Sequence, residues 1–228
     1  MLVRERTPIL VIVYAVYLVF EGLSLRACSR TILPFTRRSH KSVWMWMQEL
    51  APLDGLLFNT RRRRTRLFLI DETEVQVGRS EAWIWVCYEP FQKRFLGMWF
   101  SWTRSSLAAE LFLKEMVKKY GKHPVWSDGA TCYPEACRSL GLKHQVYAQG
   151  EWLYEVMERA VQTVKDRTES FDDYFPCSNP ECRQKHIWSW IRLFHLHKQP
   201  EYLQAINTVK EVITLSGTHT YRLYHSIS

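Results

Sequence analysis

Three consecutive stretches with strand character, Leu67–Val77, Glu81–Tyr88 and Phe95–Trp102, constrain this chain more than any other feature. Each is rich in β-branched or aromatic residues, and only Gly78-Arg79-Ser80 and the turn opened by Glu89-Pro90 separate them, so a three-stranded antiparallel meander is expected. The period then lengthens. Ser105–Tyr120 carries apolar residues at helical spacing, with Leu107, Leu111, Met116 and Val117 predicted inward and Lys114, Lys118 and Lys119 outward. A short strand at Pro124–Ser127, a helix from about Tyr133 to Leu140, a strand at His144–Tyr147 and a longer helix from about Glu151 to Arg167 complete the pattern. That order predicts an α/β fold class, a mixed sheet with helices on both faces.

The chain before Leu67 reads as three helices. The first spans Pro8–Phe20, with the Thr7 hydroxyl as cap and proline at the first helical position. The second begins at Ser24 and stops at Pro34, and the third starts near Ser39 and ends before Pro52. The unbroken apolar run Ile9–Phe20 has twelve residues, short of the roughly 20 that span a bilayer. Leu25-Arg26-Ala27-Cys28 is a poor cleavage site, so a buried helix is expected rather than a signal peptide or an anchor. The expected division is a helix-turn-helix-like module over 1–52, a basic linker over 53–66, a catalytic domain over 67–176 and a helical extension over 177–228. Within the extension, Pro200 to Leu215 reads as a final amphipathic helix.

Lys and Arg total 31 against 23 Asp and Glu, a formal charge of +8. Such a surplus favours a polyanionic partner, because each neutralised phosphate releases counterions. Two basic clusters stand out. Arg37, Arg38, Ser39, His40 and Lys41 open the third helix, where they would meet phosphates or base edges. Arg61, Arg62, Arg63, Arg64 and Arg66 make five arginines in six residues, either a solvated run or a strip that tracks a phosphate backbone. The six cysteines fall at irregular spacing and form no dense disulfide framework, which suits a reducing compartment.

Three acids carry the chemistry. Asp71 interrupts the apolar strand Leu67-Phe68-Leu69-Ile70, where a carboxylate needs a partner or a metal unless it faces outward. Asp128 ends the strand Pro124–Ser127 before Gly129, at a sheet edge favoured for functional side chains, or else it merely opens an Asp-Gly turn. Glu158 lies in the last long helix, with Glu151 and Glu155 at neighbouring helical positions. Converging at one sheet edge, three carboxylates would hold hard divalent cations such as magnesium, which polarise a phosphodiester and activate water or a 3′-hydroxyl.

At these residues a resemblance emerges. Ile70-Asp71-Glu72-Thr73, Ser127-Asp128-Gly129-Ala130, and Glu158-Arg159 through Val164-Lys165-Asp166-Arg167-Thr168 resemble the DDE-type insertion-sequence transposases of bacteria and archaea, most of all insertion-sequence family six. Tyr133-Pro134, Leu140-Gly141-Leu142, Glu169-Ser170-Phe171, Ser24-Leu25-Arg26 and Arg38-Ser39-His40 also fit, so the likeness spans roughly residues 20 to 200. The resemblance implies a ribonuclease-H-like core with Asp71, Asp128 and Glu158 as catalytic metal ligands for Mg2+ or Mn2+. It further implies cleavage and strand transfer at the inverted-repeat ends of a mobile element. Double-stranded DNA, both element ends and target, would be the partner of a homo-oligomer in the cytoplasm of a bacterium or archaeon, with no membrane and no small-molecule substrate. Lys165 and Arg167 would contact the DNA backbone. The stretch Leu153–Met157 is more apolar than the family's, and Glu155 offers a competing register; Glu158 is preferred because it alone aligns Lys165, Arg167 and Thr168. A ribonuclease-H-like nuclease and an inactive DNA-binding remnant are the alternatives.

Two other features point elsewhere. Cys177 and Cys182, followed by His186, suggest a zinc site but at wider spacing than a typical knuckle, so ordinary thiols in a loop are expected. Of the ten tryptophans, most are expected in the core, although base stacking is open to exposed ones.

Overall fold

The alternating apolar pattern after Arg66 forms the expected meander in the computed structural model, which describes residues 6–53, 64–77, 80–168 and 180–211. Strands β1 (Phe68–Val77), β2 (Ser80–Glu89) and β3 (Arg94–Ser101) pair antiparallel, with a register shift at Cys87/Tyr88. Helix α4 (Ser106–Tyr120) follows, then β4 (Val125–Ser127), α5 (Cys132–Ser139), β5 (His144–Val146) and α6 (Trp152–Thr168). The sheet order is β3-β2-β1-β4-β5, with β4 parallel to β1 and β5 parallel to β4. A three-stranded meander extended on the β1 side by two parallel strands, each reached through a helix, is the ribonuclease-H-like arrangement. The α/β fold class expected from element order is the one found.

Strand periodicity sends neighbouring residues of β1 to opposite faces. Phe68 and Ile70 join Trp85, Cys87 and Leu96 in a core completed by Phe112, Leu113 and Met116 of α4 and by Tyr133, Ala136 and Cys137 of α5. Leu69, Asp71 and Thr73 take the other face, and α6 packs against β1 and β2, burying Met157, Ala160, Val161 and Val164. Gly97 gives α4 room on the first face: a Cβ there would stand 2.3 Å from the Met116 methyl.

The inward set expected for α4 needs correction. Leu107 is 66% exposed and Leu111 45%, while Ala108, Ala109, Phe112, Leu113 and Met116 are the buried residues. The helix is rotated so that its two alanines lie against the sheet, where small side chains allow close approach. The Ser105 hydroxyl caps it, accepting the Ala108 amide at 3.2 Å.

The chain divides into two compact units, Met1–Thr60 with Arg192–Ser228, and Arg61–Ile191. In the first, α1 (Ile9–Phe20), α2 (Leu25–Thr31) and α3 (His40–Leu50) pack on one another. Residues 192–197 of α7 (Pro180–His197) and the helical residues 200–211 belong to the same unit, which the sequence alone had set apart as an extension. Most of the apolar run is buried: Val11, Ile12, Ala15, Val16 and Phe20 are core residues, with Phe20 against the Phe194 ring at 6.4 Å. Thr7 does not cap α1. Pro8 holds the cap position without a side-chain hydrogen bond, and the Thr7 hydroxyl accepts from Arg38 Nε at 2.7 Å. Ser24, where the second helix was expected to begin, caps α2, its hydroxyl accepting from the Ala27 amide at 3.2 Å.

In the second unit, Trp188 of α7 meets β3. Its ring lies 5.0 Å from Trp99 and 6.4 Å from Phe100, two side chains on opposite faces of that outermost strand. Among the described residues no helix is long and apolar enough to cross a membrane.

Candidate active site

The pairing register decides which side chains meet. In β1 and β4, Leu69 stands opposite Trp126, so continuing by two residues brings Asp71 level with Asp128. In β4 and β5, Ser127 stands opposite Val146, which brings Asp128 level with Tyr147. Asp71, Asp128 and Tyr147 therefore form a row across three parallel strands, on the face that α6 covers.

Asp71 is half-buried in mid-strand, and its Oδ1 accepts the Glu72 amide at 2.8 Å. Its carboxyl is pushed up to about 7, first by burial, then by the negative charge of Glu72 and that of Asp128; the Glu72 amide and Arg104 only partly oppose them. Tyr147, 4% exposed, has its hydroxyl pushed far up by burial and by the charges of Asp71, Asp128 and Glu72. One locus thus collects negative charge at the end of the parallel strands.

Asp128 is held by its own turn. Its Oδ1 accepts the Ala130 amide at 2.9 Å, the side-chain-to-backbone closure typical of an aspartate turn. Ser127, fully buried on the opposite face, accepts the Gly129 amide at 3.2 Å through Oγ, which also lies 2.9 Å from His144 Nε2. Gly129 has φ +91°, and a Cβ there would come 3.0 Å from Val146 Cγ1. The aspartate-glycine pair is built into the turn by conformation and by space.

Glu158 lies on an exposed part of α6, and its carboxylate is hydrogen-bonded by the Tyr154 hydroxyl, raising the tyrosine pKa; the charge of Asp71 adds to the rise. The Tyr154 ring in turn lies 6.2 Å from that of Tyr147. Tyrosines thus link Glu158 to the row of acids. Glu155 instead pairs with Arg159 at 3.3 Å on the exposed side of the helix.

Glu72, next to Asp71, is the residue that sequence reasoning missed. Its side chain is 1% exposed and takes hydrogen bonds from the buried Tyr133 hydroxyl of α5 and from the Arg104 guanidinium. Arg104 sits in the segment between β3 and α4, 42% exposed, with its guanidinium 5.2 Å from the Trp83 ring. This clamp ties β1 to the helix that follows Asp128 and to a cation within the field of both aspartates. Only an acidic residue beside Asp71 hinted at it.

The carboxylates suit a hard divalent cation by chemistry. Among the described residues, however, no group of three or more His, Cys, Asp or Glu side chains is placed to hold a metal ion. Asp71 and Asp128 are brought together; Glu158 stands one tyrosine away. Of the basic candidates, Arg37, Ser39, Lys41, Arg66 and Lys165 are exposed, and Arg38, His40 and Arg167 half-buried. Arg64 is exposed and its carbonyl accepts from Gln92 Nε2 at 2.5 Å. Arg61, Arg62, Arg63, Cys177 and the side chain of Cys182 lie outside the described residues.

Strand order, register and the acid row define a ribonuclease-H-like α/β domain with a carboxylate locus at the ends of its parallel strands. The chain is 31% identical over 192 residues to the uncharacterized protein MJ0017 of Methanocaldococcus jannaschii, covering 84% of this chain and 86% of that protein, and it belongs to the same family. No family model matches. Among solved structures, the catalytic core domain of BIV integrase superposes with a TM-score of 0.44 at 19% identity, over 63% of this chain and 97% of that one. The catalytic domain of Mos1 mariner transposase gives 0.35 at 12%, over 72% and 93%. At these scores the likenesses carry no argument, and the fold assignment rests on strand order and register.

Proposed function

We propose that this protein is a metal-dependent polynucleotidyl transferase, a transposase that cleaves and joins DNA at the ends of a mobile element. The observation that carries the reading is the alignment of Asp71 with Asp128, two residues beyond the Leu69–Trp126 pair of β1 and β4, with the Asp71 carboxyl pushed up to about 7 by burial and neighbouring negative charge. A locus this rich in carboxylates, their charge only partly opposed by Arg104, favours a divalent ion. Magnesium is commonly held by one or two carboxylates together with water and substrate phosphate, so Asp71 and Asp128 suffice as protein anchors before DNA arrives. The ion, when bound, would polarise the phosphodiester and lower the pKa of the attacking water or 3′-hydroxyl.

The protein's own groups then have separable tasks. Asp71 and Asp128 hold the reacting centre. Glu158, on the helix across the same face and hydrogen-bonded by Tyr154, joins it as third acid. The turn of Asp128 keeps its carboxylate fixed, and Arg104 supplies positive charge beside the acids. The family-six motifs around Asp71, Asp128 and Glu158, the net charge of +8, and the helix-turn-helix-like opening at Arg37–Lys41 support DNA as substrate. In that reading Arg61–Arg64, Arg66, Lys165 and Arg167 follow the phosphate backbone, and homo-oligomers act on paired ends in a prokaryotic cytoplasm.

The test uses DNA made from the sequences flanking the reading frame, searched for short inverted repeats, with Mg2+ or Mn2+. Strand joining is expected from the native protein and none from Asp71→Ala or Asp128→Ala, with DNA binding kept in both variants. Equal activity in those variants would overturn the proposal. Cleavage of any duplex without joining would point to a nuclease instead. A second reading, a DNA-binding relative without catalysis, draws on the exposed position of Glu158; it predicts salt-dependent binding with no cleavage under either metal.

A further inference from the structure

Phe91, in the turn between β2 and β3, and Trp152, the first residue of α6, are 51% and 50% exposed, yet their rings meet with centroids 5.4 Å apart. Two large aromatics from separate elements form one continuous exposed surface, unlike the single apolar side chains scattered on most proteins. The turn that presents Phe91 is braced: the buried Glu89 carboxylate accepts the Gln92 amide at 2.6 Å, and Gln92 Nε2 donates to the Arg64 carbonyl. The Arg66 guanidinium lies 5.1 Å from the Phe91 ring centroid, and among the described residues Arg66 forms no ion pair. The arginine run 61–66 therefore ends at this aromatic pair.

We propose that Phe91, Trp152 and Arg66 form a stacking platform for unpaired bases of a DNA strand. The inference rests on the DNA-acting reading above and names a part of the substrate within it. Bases in a duplex are already stacked on both faces, so an aromatic platform selects unpaired ones, and it does so without regard to sequence. Arg66 is placed to meet the adjoining phosphate, which an apolar protein partner would lack. Trp152 and Glu158 are six residues apart on one helix, about 9 Å along its axis at a rise of 1.5 Å per residue. That distance matches roughly three stacked base steps of 3.4 Å. A strand seated on Trp152 thus comes within a few nucleotides of Glu158.

The test measures binding of the full chain to a short single-stranded oligonucleotide containing 2-aminopurine, without metal, by quenching of its fluorescence. The native protein is expected to quench. Trp152→Ala should weaken binding by roughly 5- to 100-fold, Phe91→Ala should weaken it less, and Trp152→Phe should restore most of it. Arg66→Gln should lower the slope of log affinity against log salt by about 0.7. These side chains are surface-exposed, so circular dichroism spectra should stay unchanged. Binding by Trp152→Ala and Phe91→Ala equal to native overturns the platform, as does a native protein that binds no single strand. A shift from dimer to monomer in Trp152→Ala, without any effect on DNA, would assign the surface to a second copy instead and likewise overturn it. Asp71→Asn separates the two proposals: it should quench as native does, and if it also still joins DNA ends, the catalytic reading fails while the platform stands.

Discussion

Asp71 and Glu72 are consecutive acids on one strand, and the two faces of β1 treat them in opposite ways. Glu72, almost wholly enclosed, is met by Tyr133 and Arg104, so its negative charge is answered from inside the protein. Asp71 has a backbone amide for a partner and two further carboxylates in its field, and its pKa rises to about 7. A buried charge that is paired holds a fold in place; one left uncompensated costs stability and is tolerated where a ligand completes it. The contrast separates a structural acid from a functional one more sharply than motif spacing does.

The comparison can be broken at either residue. The largest stability effect is expected at Glu72→Ala, which leaves the fully buried Tyr133 hydroxyl unmatched and releases Arg104; a loss of about 3 kcal/mol should appear in denaturant unfolding at pH 7. Asp71→Asn should act with the opposite sign. Since the folded pKa is raised above the ordinary value of 3.8, the folded state binds the extra proton between pH 4 and 7, and stability falls as pH rises through that window. The asparagine variant escapes the loss. It should be more stable than native by on the order of 2 kcal/mol at pH 8 and equal to it near pH 4, as measured by melting at both pH values. The same variant should lose Mn2+ binding, which in the native protein should tighten as pH rises through about 7 because the ligand must shed its proton. Tyr133→Phe removes one hydrogen bond to Glu72 and should cost about 1.5 kcal/mol by the same unfolding assay. Smallest is Leu111→Ser, expected within about 0.5 kcal/mol of native because that leucine lies on the outer side of α4.

Much of the fold was legible because period and punctuation are local. The meander, the alternating helices and the helix starts near Ser24 and Ser105 all follow from neighbours within a few residues. Asp71 was visible as a carboxylate among apolar residues, and Asp128 as a strand end before glycine. What was not legible depends on distance along the chain. Glu72 meets Arg104 across 32 residues and Tyr133 across 61, and no local pattern encodes either contact. The phase of α4 was misjudged because leucine spacing fits two faces of that helix, and only the demand of the sheet for small residues chooses Ala108 and Ala109. The grouping of residues 192–211 with the N-terminal helices arises from packing of Phe194 and His197 onto Phe20 and Glu21, again beyond the reach of periodicity.

The placement of Trp188 has a consequence for solubility. An indole that touches side chains from both faces of the outermost strand straddles its rim, where unpaired amide and carbonyl groups would otherwise recruit a strand from another molecule. A chain ending before α7 would keep every strand of the sheet yet bare that rim, and it invites fibrous self-association beside the loss of the Phe194 and His197 packing in the first unit.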